Sequence, residues 1–126
     1  MNPTSFVEHK NLCLTFKIEG HQFEAVGFLS IVGEELTDEQ ILQRVAEKNG
    51  GAIGVDDTNF INEHLNDLPR ELRKYYLVTG CPDPEKPKYL IHFYFAVNKW
   101  RRYRSWASLK RGSNHLVLRR VTNNQN

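Results

Sequence analysis

The chain has 126 residues, 40% of them hydrophobic and 25% charged, and a net charge of +2. Those values fit one globular domain and exclude a disordered chain. The longest apolar stretch, Tyr89 to Val97, is interrupted by His92 and falls far short of the ~18 residues of a membrane span. Two cysteines, Cys13 and Cys81, cannot build a disulfide framework.

Met1 to Ser5 lacks a basic segment running into an apolar one, so no secretory leader is expected. A reduced, cytoplasmic setting without membrane attachment is the corresponding expectation.

Residues 11–19 alternate, with Leu12, Leu14, Phe16 and Ile18 on one face, which predicts a half-buried strand. Gly20-His21 is the expected turn into a second strand over 23–32. Thr37, with Gln40 three residues on, reads as the cap of a first helix that ends at Asn49-Gly50-Gly51. A second helix is expected from Asp57-Thr58, with Ile61, Leu65 and Leu68 inward, and Pro69 starts a separate turn through Lys74.

Tyr75 to Thr79 predicts a third strand, and the proline-rich 81–88 an extended connection. Tyr89, Ile91, Phe93, Phe95 and Val97 then share a face strongly enough to be core. After a turn at Asn98-Lys99 come strands over 101–109 and 115–121, joined by a loop around Gly112. The order β-β-α-α-β-β-β-β predicts an α+β fold. Its core is a mostly antiparallel sheet of about six strands, with two or three helices packed on one face. Residues 1–126 form a single domain in this reading, with mobile tails at about 1–8 and 122–126.

The charge is split along the chain. Residues 1–85 hold fifteen acids and seven basic residues, a net of −8; residues 86–126 hold ten basic residues and no acid, a net of +10. Such a split admits three readings: a basic surface for a polyanion, ion pairs between the halves within one molecule, or attraction between copies as a homo-oligomer.

Residues 100–106, Trp-Arg-Arg-Tyr-Arg-Ser-Trp, carry the most chemistry. On a strand, Trp100, Arg102, Arg104, Trp106 and Lys110 project to one side, and Arg101 and Tyr103 to the other. Indole rings stack on bases while guanidinium forks pair with phosphate oxygens, so this side is expected to face solvent and a nucleic acid, DNA or RNA. Arg111 and Arg119 belong to the expected contact set, and His92, Tyr94 and Arg120 extend it if the last three strands are neighbours. The same surface would also suit an acidic protein, making the chain an inhibitor or adaptor.

An enzyme has weaker support. Asp56-Asp57 follows Gly50, Gly51 and Gly54, but the lysine and hydroxyl of a phosphate-binding loop are missing, and helix-dipole stabilisation explains the pair. Asp57 and His92 are the residues a small hydrolase or transferase would use. No metal or cofactor motif stands out, so none is expected. The leading expectation is a non-enzymatic binding or regulatory module with an acidic partner, nucleic acid first.

Overall fold

A computed structural model describes residues 6–30, 36–37, 52–106, 110–111 and 115–121, with side chains over 13–27, 52–104 and 115–121. Its strands are β1 (Phe6–Ile18), β2 (His21–Ser30), β3 (Leu36–Thr37), β4 (Tyr76–Pro82), β5 (Tyr89–Ala96), β6 (Lys99–Trp106), β7 (Lys110–Arg111) and β8 (His115–Arg120). The α-helix among the described residues is α1 (Val55–Glu63), followed by 3-10 turns at Leu65–Asp67 and Arg70–Lys74. The class is mixed α and β, as the order of elements implies.

Six strands form one sheet in the order β1-β2-β8-β4-β5-β6, and β3 pairs with β7 in a separate two-stranded ladder. Of the six expected strands, β2, β5, β6 and β8 lie within three residues of their predicted bounds, whereas β1 starts at Phe6, five residues before the expected alternation. The third is longer than expected, since β4 runs on through Cys81 to Pro82, which pairs with Leu90 after a break in register. Thr37 lies in β3, and the helix expected after it falls on residues outside those described, as do residues 1–5 and 122–126 of the expected tails, whereas Phe6, Val7 and Glu8 of the first tail belong to β1.

The sheet is mostly antiparallel, as expected; its one parallel pair arises where β8 inserts between β2 and β4 and runs parallel to β4. The reason lies in β8 itself. Leu116, Val117 and Leu118 are consecutive and all buried, so both faces of this strand must be covered, which suits a central position.

Both long hairpins close on two residues with positive φ, Glu19-Gly20 (+49° and +86°) and Val97-Asn98 (+53° and +64°). That is the backbone whose twist matches paired strands. Each turn sits one residue earlier than expected. Val97 is a poor residue for such a backbone, which is why the sequence places it in the strand.

One face of the sheet carries the main core. Phe16, Phe23, Ala25, Leu77, Ile91, Phe93, Leu116 and Leu118 pack there against Ile61 of α1 and against Leu68 and Leu72 of the following turns. Where β8 and β4 meet, Ile53 bridges them, donating its amide to Leu118 and accepting from Gly80. A Cβ at Gly80 would lie 3.2 Å from the Ile53 carbonyl oxygen, a contact tight enough to press on this bridge. The opposite face is buried at Val26, Val78, Val117, Leu90 and His92.

Candidate functional site

The indole of Trp100 belongs to the core: it is 6% exposed and meets Phe95 edge-to-face at 5.6 Å. This corrects the expectation that it projects into solvent. Its parity was right, because Trp100, Arg102 and Arg104 do share a side, opposite Phe95, Phe93 and Ile91 of β5. That side is the inner one. β6 is the edge of the sheet, so long arginine side chains there escape past the rim, while the bulky indole stays beneath it.

Arg104 donates from Nη1 to Asp83 Oδ2 at 2.7 Å, lies 3.9 Å from Glu85 Oε1, and stacks over Tyr89. The Glu85 amide donates to Asp83 Oδ1 at 3.0 Å. The Arg104 side chain, with that amide, holds the Asp83 carboxyl below the usual carboxylate range. Arg102 is exposed. Together with Asp83, Ile91, Tyr103 and Arg104 it lines a cavity of about 360 Å³. Trp106, Lys110 and Arg111 lie on β6 and β7, and their side chains fall outside those described.

Arg119 is buried and pairs with Glu24 at 2.8 Å, which corrects its expected place on an open surface. Arg120 binds Asp57 and donates to His21 Nδ1 at 3.2 Å. Among the described residues, Arg104, Arg119 and Arg120 are therefore matched by acids of the first 85 residues. Intramolecular pairing accounts for part of the charge split, but Lys86, Lys88, Lys99, Arg101 and Arg102 form no ion pair within 4 Å among the described residues, and Arg102 acts on Asp83 only at longer range.

The feature missed by the sequence reading lies on the outer face. The register sets Tyr76 of β4 opposite both Tyr94 of β5 and His115 of β8, with Arg101 of β6 beyond Tyr94. Tyr76 and His115 stack at 4.9 Å with planes 18° apart. Tyr94 and Tyr103 meet edge-to-face at 4.8 Å, and Tyr76 lies 6.0 Å from Tyr94 and 6.4 Å from Tyr103. Tyr76 is 37% exposed, and the other three rings are half-buried. His92 lies beneath Tyr103 at 5.2 Å, fully buried, and donates Nδ1 to the Leu90 carbonyl.

At the sheet end this row opens into a groove of about 230 Å³ lined by Arg73, Lys74, Tyr75, Tyr76, Tyr94, Phe95 and Ala96. Arg73 sits 4.3 Å over the Phe95 ring and Lys74 5.6 Å over Tyr75, so aromatic faces hold both cations at the rim. The sequence carried half of this signal, in the alternation that sets Tyr94 and Tyr103 opposite the core side chains. It lacked the placement of β8 beside β4, which adds His115 and Tyr76.

Asp57 and His92 are not brought together. Asp57 joins Arg120 on the core side, over Phe23, whereas His92 lies on the other face. Burial pushes the Cys81 thiol above its ordinary pKa, leaving it protonated and a poor nucleophile. Among the described residues no group of three or more His, Cys, Asp or Glu could hold a metal ion, and no helix is long and apolar enough to cross a membrane. No protein-family model, curated protein or solved structure matches this chain.

Proposed function

We propose that the chain is a non-enzymatic nucleic-acid-binding module whose base-stacking surface is the outer tyrosine face rather than the indole side of β6. The observation that carries this reading is the ring row: Tyr76, Tyr94, Tyr103 and His115 come from four adjacent strands, with a cationic groove at one end. Every base presents a π face, so rings on a sheet grip nucleic acid without needing a particular sequence. Arg73, Lys74, Lys99 and Arg101 supply charge for the phosphates, and guanidinium groups can do so through two parallel hydrogen bonds.

An oligonucleotide should bind at low salt and lose affinity as a power of salt concentration, because each phosphate contact releases counterions. Polyglutamate of similar charge density offers no rings to stack and should bind much more weakly. Titration of the two polyanions by fluorescence anisotropy tests the reading. Equal affinity for both would reassign the face to an acidic protein partner and overturn it, as would no oligonucleotide binding.

A further inference from the structure

We infer that the ligand of this face is a single strand of nucleic acid that crosses the β6 edge, with stacked bases on the outer side and a phosphate beside Arg102 on the inner side. The inference rests on the nucleic-acid reading above and adds the form of the ligand and its path.

The path is continuous in the side chains. Tyr94 lines the cationic groove, and its ring meets Tyr103 at 4.8 Å. Tyr103 in turn lines the cavity that holds Arg102 and Arg104. One strand, β6, therefore offers Arg101 and Tyr103 to the outer face and Arg102 and Arg104 to the inner one. Its far side carries no ladder among the described residues.

Only a flexible ligand can follow that route. A sheet with its side chains is about 10 Å thick, so turning over an edge strand is a bend within about one nanometre. Duplex DNA resists bending over lengths near 50 nm, and its bases are already stacked and out of reach of the tyrosines. A single strand has neither constraint.

The inner cavity suits a phosphate. Arg102 forms no ion pair within 4 Å among the described residues; Asp83 attracts it only at longer range, since both Asp83 oxygens are engaged, Oδ2 with Arg104 and Oδ1 with the Glu85 amide. Glu85 is the competing acid: it lies 3.9 Å from Arg104 Nη1, and its side chain is 85% exposed, free to swing aside.

The test is an anisotropy titration of a fluorescein-labelled oligo(dT) of about 12 nucleotides against a duplex of equal length, across a salt series. The single strand should bind at least about tenfold more tightly at low salt. Arg102→Gln should flatten its log–log salt slope by about 0.7, the value of one phosphate contact on a single strand, and Arg102→Lys should restore it. Glu85→Gln should tighten single-strand binding. Equal or tighter duplex binding, or an unchanged slope in Arg102→Gln, overturns the inference and leaves the tyrosine face standing. No binding of either oligonucleotide overturns both.

Discussion

Arg120 closes its guanidinium on Asp57, 63 residues earlier in the chain, with Nη2 2.7 Å from Oδ1 and Nε 3.1 Å from Oδ2. The last residue of β8 is thereby fastened to the first turn of α1, and the bond raises the Arg120 pKa above its ordinary value. Hydrogen bonds to charged groups contribute about 1.5–3 kcal/mol, less where solvent screens them, and both side chains here are partly exposed. Asp57→Ala should therefore cost about 1–2 kcal/mol in urea unfolding. An unchanged midpoint would mean that the two elements are held by packing alone.

Trp100 gives a contrast within one strand. Trp100→Ala should destabilise by about 3–5 kcal/mol through lost packing, while Arg102→Ala, exposed two residues on, should stay within about 0.5 kcal/mol. The indole Nε1 is buried with no acceptor among the described residues. Trp100→Phe removes that unmet donor and should cost well under half of the alanine change. Matching losses in Trp100→Ala and Arg102→Ala would contradict the buried placement.

Val97 holds φ +53° while 81% exposed, so a β-branched side chain sits in left-handed backbone with little packing to compensate. The left-handed region costs such residues about 1–2 kcal/mol. Val97→Gly should accordingly raise stability by about 1 kcal/mol, and Val97→Asn by a similar amount. A loss of stability in both variants would refute this turn geometry.

Asp83 sets an acid limb. Arg104 and the Glu85 amide lower its folded pKa below the unfolded value of about 3.9. Its contribution is therefore complete above that pH and disappears as pH falls through the folded pKa. Asp83→Asn should flatten the loss of thermal stability below about pH 4 and leave the slope between pH 6 and 8 unchanged, to within about one pH unit in either limit. A wild-type acid limb retained in the variant would assign it to other carboxylates.

The local pattern was legible wherever side-chain period decides the element. The alternation in β1 and β5 and the proline at position 69 located those elements, because neighbours in sequence determine them, although β1 starts five residues before its alternating stretch, ahead of a register shift between His9 and Cys13. The position of β8 depends instead on pairing with strands far away in the chain, and a parallel partner leaves no turn signal. The fate of Trp100 was hidden for a related reason. Periodicity groups Trp100 with Arg102 and Arg104 correctly, but which face meets the core depends on where the helix and turns dock. Arginine beside tryptophan suggests solvent, yet on an edge strand one face can hold a buried ring and two exposed guanidinium groups.

The tyrosine face is tested most directly by Tyr76→Ala, measured as anisotropy of a labelled single-stranded oligonucleotide at low salt, with the thermal midpoint followed in parallel. Loss of one stacking ring should weaken binding by about 1–3 kcal/mol, roughly 5- to 150-fold, while the midpoint of this partly exposed residue moves little. Wild-type affinity in the variant would contradict the account.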